Sequence, residues 1–161
     1  MTNKLEYSIL KKRDNIKFVE EGNLLAPKFD SNGLMPAIIT DFESNHLLMH
    51  CFMNEEALIK TLQSGEAYYW SRSRNNIWKK GESSGMTHVI KEILIDDDQD
   101  AIWLRVKVKG LGGSCHVGYK SCFYRSVNKV NYDSVELEFK EKEKILDPKK
   151  VYPESDSPTQ L

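Results

Sequence analysis

HVIKEILIDDDQDAIWLRVKVK, residues 88–109, decides how this chain is read. His88 to Ile95 has the apolar, β-branched content of a strand, and Ala101 to Lys109 sets Leu104, Val106 and Val108 in alternation with Arg105, Lys107 and Lys109. Such alternation gives one apolar and one wet face, so both segments read as strands joined by the acidic run. If Asp96 to Asp100 continues the strand, a period of two puts Asp96, Asp98 and Asp100 on one face and Asp97 on the other. Carboxylates projecting together repel unless neutralised, and Mg2+ or Ca2+, both of which prefer oxygen ligands, is the neutraliser such a trio invites. An exposed acidic turn is the plainer alternative.

On the C-terminal side, Gly110, Gly112 and Gly113 break the strand and let backbone pack closely around Cys115, and Cys122 to Val127 and Val135 to Phe139 read as further strands. Cys115 and Cys122 are spaced more widely than a zinc knuckle, and two thiols alone close no tetrahedral site. An open catalytic site of three protein ligands and a water is compatible with them, with Asp97 as a third ligand and His116 beside it as a proton shuttle; so is a pair of buried cysteines.

On the N-terminal side, Leu34 to Thr40 and Leu47 to Phe52 read as a hairpin turning at Ser44-Asn45. A helix of about three turns follows, with Asn54 as N-cap, Glu55 and Glu56 at its positive end, a core stripe of Ala57, Leu58, Thr61 and Leu62, and Gly65 as its stop. Ala67 to Arg72 and Ile77 to Lys80 read as a second hairpin turning at Asn75-Asn76, with Arg72, Arg74, Lys79 and Lys80 near its tip. Guanidinium forks beside Ser71 and Ser73 suit phosphate, although a solvated charged hairpin end has the same composition. The loop from Gly81 to Gly85, carrying Ser83 and Ser84, offers bare amides to an anion. The fold class expected from this pattern is α+β and strand-rich.

Composition bounds the rest. A chain of 161 residues with 40% hydrophobic content suits one domain, and 23 basic against 24 acidic residues, a net charge of -1, invites neither nucleic acid nor a membrane surface. The opening MTNKLEYSILKKRDN has no signal-peptide core, and three cysteines suit a reducing compartment, so the expected location is cytoplasmic, with Cys51 in the core. Residues 1–28 read as a loosely attached lead-in, 29–139 as the domain, and 140–161, which alternates Lys with Glu and contains Pro148, Pro153 and Pro158, as a charged, mobile tail.

Several blocks together resemble the phosphoribosyl-AMP cyclohydrolases. These are Tyr69-Trp70-Ser71-Arg72-Ser73-Arg74, Trp78-Lys79-Lys80-Gly81-Glu82-Ser83-Ser84-Gly85, Cys115-His116-Val117-Gly118 and Ser121-Cys122-Phe123-Tyr124-Arg125, with Gly33 to Ile38 and Met53 to Leu58 in the same order. The resemblance implies an antiparallel β roll or pseudo-barrel capped by a helix, in an intertwined homodimer whose active site is shared between chains. It implies hydrolytic opening of the adenine ring of N1-(5-phosphoribosyl)-AMP, a step of histidine biosynthesis, with Zn2+ and Mg2+. Asp96, Asp98 and Asp100 match Mg2+ ligands, and Cys115 and Cys122 match two Zn2+ ligands. His116 is expected to move a proton between a metal-activated water and the leaving ring nitrogen, while Trp70, Arg72, Arg74, Lys79, Lys80, Ser83 and Ser84 face the substrate. The family's third zinc ligand, a Cys given across the dimer, is Asp97 here; carboxylate remains an accepted zinc ligand. Met86 and His88 also depart from the family pattern, close to where the base is expected, and the interval before Cys115 is longer. Those departures leave two further readings: a paralogue acting on another modified purine nucleotide, and a catalytically silent nucleotide-binding protein on the same scaffold.

Overall fold

In the computed structural model, which describes residues 9–130, 134–153 and 159, a six-stranded sheet runs in the order β4-β3-β2-β1-β6-β5. The strands are β1 (Met35–Asp41), β2 (Leu47–Met53), β3 (Tyr68–Ser71), β4 (Asn76–Lys79), β5 (His88–Ile95) and β6 (Ile102–Val108). Neighbours are antiparallel except β1 and β6, which run parallel with Ala37 beside Ile102 and Ile39 beside Leu104. The sheet curls far enough that Glu66, just ahead of β3, bridges Val89 on β5, and Ala67 N donates to the His88 carbonyl at 2.9 Å. The strand-rich α+β architecture and curled, half-barrel sheet match the expectation, whereas the parallel β1–β6 pair departs from the antiparallel roll that the resemblance implies.

The concave side of this roll is filled by Met35, Ala37, Ile39, Leu48, Met53, Tyr69, Ile102, Leu104 and Val106. Met35, Ala37 and Ile39 of β1 and Ile102, Leu104 and Val106 of β6 are alternate residues, as a period of two requires of strands with one buried face, while Leu48 sits where the β1–β2 register shifts. Against them packs a helix (Glu55–Ser64), preceded in the chain by a short one, so that α1 is Ile16–Glu21 and α2 is Glu55–Ser64. The side chain of Asn54 accepts from Ala57 N at 2.9 Å, and Gly65 closes α2 in the left-handed conformation at φ 72, as the capping residues predict. The buried stripe is Ala57, Leu58, Ile59 and Thr61; Leu62, although one turn on from Leu58, is exposed in the last turn of α2.

Beyond the roll, β7 (Arg125–Val130) and β8 (Val135–Phe139) form a separate two-stranded sheet with Val127, Val135, Leu137 and Phe139 exposed. Cys122 lies ahead of β7 rather than within it. The first eight residues and the end of the tail, including Pro158, lie outside the described residues. The described parts of both flanks are fastened down. Leu146 is buried, Ile145 N donates to the Gly118 carbonyl at 2.8 Å, and α3 (Pro148–Val151) follows, so a freely mobile tail is not what residues 140–153 form. Arg13 likewise donates to the Ala26 and Asp98 carbonyls at 2.6 and 2.8 Å, which ties the lead-in to the acidic run. No described helix is long and apolar enough to cross a membrane.

Candidate active site

The acidic run is a tight turn, not an extension of β5. Gln99 N donates to the Asp96 carbonyl at 3.2 Å, Gln99 takes φ 58, and Asp96 Oδ1 accepts from the backbone N–H groups of Asp100 and Ala101 at 2.9 and 3.0 Å. The strand alternation that separates Asp97 from its neighbours is therefore lost: carboxylate oxygens of Asp96, Asp97 and Asp98 all lie within 4.8 Å of one another. Asp100 flanks this trio. Partial desolvation, then the charges of Asp98 and Asp96 and a hydrogen bond to Asp96, hold its carboxyl above the usual range, while Lys28 stands 3.9 Å away. Crowded carboxylates of this kind are a hard-oxygen donor set, suited to Mg2+ or Ca2+.

Gln99 gives the turn its anchor. Only 4% exposed, it accepts from Ala26 N at 2.7 Å through Oε1 and donates to the Val19 carbonyl at 2.9 Å through Nε2. Its own carbonyl accepts from Lys28 N at 2.8 Å. The interrupting residue of the acidic run thus fixes the lead-in on one side and the carboxylates on the other.

Cys115 and Cys122 meet through a hydrogen bond between their side chains. Donation from Cys122, with backbone N–H groups of Val117 and Tyr119 and the nearby Lys80 charge, draws the Cys115 thiol down to about 6, against the opposing effect of burial. The same hydrogen bond pushes the thiol of the exposed Cys122 up. One thiolate forms readily and the second needs a cation to release its proton, which is how a soft-metal dithiol pair behaves. The loop is held from several sides: Cys122 N donates to the Leu48 carbonyl at 2.7 Å, and Glu141 accepts from Lys120 N and Ser121 N at 2.8 and 2.9 Å. Gly118 has φ 111, and a Cβ there would lie 2.5 Å from the Leu146 carbonyl oxygen. Among the described residues, no third Cys, His, Asp or Glu joins the two thiols at ligand spacing, so Asp97 and the cysteines are not brought together within one chain.

His116, next to Cys115, is half-buried, and desolvation followed by the Lys80 charge lowers its pKa, which keeps the ring neutral near pH 7. Arg72 and Arg74 stand exposed at the β3–β4 tip, the first with its guanidinium 4.3 Å from the Phe52 ring centroid and the second donating from Nε to Ser71 Oγ at 3.2 Å. Trp70 is half-buried opposite Phe52; Ser83 is exposed, and Ser84 Oγ accepts from Met86 N at 3.2 Å. The two lysines sit elsewhere than the tip. Lys79 is paired with Glu66, and Lys80 is 7% exposed, donating from Nζ to the Ser114 carbonyl at 2.7 Å. Met86 and His88 are buried too, at 1% and 0% exposed.

Sequence reasoning passes over Gln99, Glu141 and the structural use of Lys80. A Glu within a Lys-Glu tail carries no pattern that marks it as a cap for the Cys122 loop. Gln99 is different, since an amide amid four carboxylates is a recognisable exception.

Comparison with known proteins identifies the family. The family model described as phosphoribosyl-AMP cyclohydrolase matches residues 49–124. A phosphoribosyl-AMP cyclohydrolase of Rhodopseudomonas palustris (strain BisB18) is 51% identical over 134 residues, covering 83% of this chain and 90% of that protein. One from Brucella anthropi is 52% identical over 117 residues, covering 73% and 83%, and one from Sinorhizobium fredii is 46% identical over 136 residues, covering 84% and 89%. With half of its residues shared across most of its length, this chain belongs to the phosphoribosyl-AMP cyclohydrolase family.

Proposed function

We propose that this chain catalyses the hydrolytic opening of the N1–C6 bond in the adenine ring of N1-(5-phosphoribosyl)-AMP, within histidine biosynthesis. The observation that carries this reading is identity of 51% with a protein of that name over 83% of the chain, spanning the Cys115–His116 and Cys122 segments. The donor sets fit the metals the family implies. Asp96, Asp98 and Asp100, with Asp97 beside them, would hold Mg2+, and Cys115 and Cys122 would hold Zn2+.

A second copy of the chain completes the zinc site by presenting its own Asp97, which is exposed and free of the strand geometry that would bury it. The exposed apolar residues of β7 and β8 support such an assembly, since they are the kind of surface that a second protomer covers. A metal held by Cys115 and Cys122 would supply Lewis-acid activation of the water that attacks C6. Neutral His116 takes the proton from that water and returns it to the departing ring nitrogen. Arg72 and Arg74 hold phosphate through their forks, with Trp70, Ser83 and Ser84 lining the approach.

Incubation of the purified protein with phosphoribosyl-AMP tests the reading. Ring opening that chelator abolishes and Zn2+ with Mg2+ restores is expected. Binding without turnover would instead identify a silent nucleotide-binding protein, and neither binding nor turnover would point to another purine nucleotide as substrate.

A further inference from the structure

A column of buried polar groups runs from Tyr69 to the Cys115 loop. Tyr69 OH and His88 Nδ1 are 2.9 Å apart, His88 Nε2 and Ser114 Oγ are 3.0 Å apart, and the Ser114 carbonyl accepts from Lys80 Nζ at 2.7 Å. Ser114 N in turn donates to the Lys120 carbonyl at 3.0 Å, so every polar atom of the residue before Cys115 is engaged. Tyr69, His88, Ser114 and Lys80 are at most 7% exposed. Hydrogen bonding alone explains the first three. It does not explain a cation: burying an ammonium costs far more than burying an amide or hydroxyl, which would hold the same carbonyl equally well.

Lys80 Nζ lies 5.7 Å from the Trp78 ring centroid, and the groups whose negative charge favours the ammonium are thiols. Lys80 Nζ interacts electrostatically with Cys51, Cys115 and Cys122, while His88, kept neutral by burial, brings no charge of its own. Two thiolates cancel the charge of a divalent ion, and any carboxylate added as a further ligand leaves the centre negative. A fixed buried cation offsets that surplus.

We propose that Lys80 is a positioning residue for the thiol pair: its buried ammonium, seated on the Ser114 carbonyl, holds the loop that carries Cys115 and supplies the counter-charge for the metal-loaded thiolates. The inference rests on the reading of Cys115 and Cys122 as metal ligands.

Lys80→Met tests it, with Co2+ as probe, its thiolate-to-cobalt charge-transfer absorption as signature, chelator competition for affinity and thermal melting of the metal-free protein as control. Support at an outer-shell position is worth about 10–100-fold in metal affinity. The expected result is that loss in Lys80→Met, with the melting temperature of the metal-free protein little changed, because removal of a buried charge offsets the stranding of the Ser114 carbonyl. A merely structural lysine would lower both together, and that outcome, or affinity within twofold of the parent, overturns the proposal. Should Lys80→Met not fold, Lys80→Gln removes the charge while keeping a donor, and is judged by the same criteria. Absence of the charge-transfer band in the parent protein would overturn the metal reading of the thiols and the inference with it.

Discussion

Replacing Gln99 by Ala should loosen the N-terminal segment from the acidic turn. The side chain makes two well-formed hydrogen bonds, to Ala26 N at 2.7 Å and to the Val19 carbonyl at 2.9 Å, and Ala26 and Val19 are themselves 0% and 7% exposed. If the segment stays in place, each stranded backbone group costs about 1–3 kcal/mol, or about 2–6 kcal/mol together. If it peels away, the loss is set instead by re-exposure of Val19 and Ala26, at about 2–4 kcal/mol for two small apolar side chains. The cheaper route prevails, so the expected destabilisation is about 2–4 kcal/mol, which for a chain of this size lowers Tm by about 5–15 °C. Gln99→Gly should lose about 1 kcal/mol less than Gln99→Ala, because the residue sits at φ 58, where glycine pays no steric penalty. Thermal melting gives the magnitude, and amide exchange gives the route: Ala26 and Lys28 should lose protection while the amides between β1 and β6 keep theirs. A Tm within a degree of the parent, with Ala26 still protected, would refute the anchoring role of Gln99.

Two further outcomes can be checked independently. His116→Ala should lower kcat by about 10²–10⁴-fold, the range for loss of a general acid–base group, while bound metal measured by elemental analysis stays at parent level; unchanged turnover would remove His116 from the chemistry. His88 is held neutral by burial, with the Lys80 charge adding to the effect, so its folded pKa lies well below the ordinary 6.5. The unfolded chain then binds more protons than the folded one as pH falls below 6.5, and stability declines by up to about 1.4 kcal/mol per pH unit from this group, with no contribution above that pH. Urea unfolding of His88→Gln between pH 7 and 5 should show a shallower decline than the parent, and parallel curves would contradict this.

Much of the scaffold was legible because local rules and tertiary packing agree there. Asn54 and Gly65 bracket α2 since a cap and a left-handed stop act within one turn of chain, and the hairpins 35–53 and 68–79 follow from alternation between turn residues. The family blocks single out the thiols and His116 by order and spacing, as candidates for the site. What escaped was set by direction rather than position. Lys79 and Lys80 are adjacent in sequence, yet on a strand edge they point to opposite sides, so one meets Glu66 in solvent and the other enters the core beneath Ser114. Asp96 to Asp100 has the length of a strand continuation, but Asp96 Oδ1 closes it into a turn on the Asp100 and Ala101 amides and Gln99 is directed inward to backbone groups some seventy to eighty positions earlier. Leu146 and Glu141 resemble the rest of a charged tail because the loop they secure is distant in sequence.

The parallel join between β1 and β6 also sets an order of assembly. β1 with β2, β3 with β4 and β5 with β6 are each neighbours in sequence and can pair soon after they leave the ribosome, whereas Ala37 must wait for Ile102 before the roll can close. The lead-in waits with it, because its seat on Gln99 does not exist until the β5–β6 turn has been made. The segment carrying Val19 and Ala26 is therefore among the last to settle, and a nascent chain stalled before residue 100 would display it without its seat on Gln99.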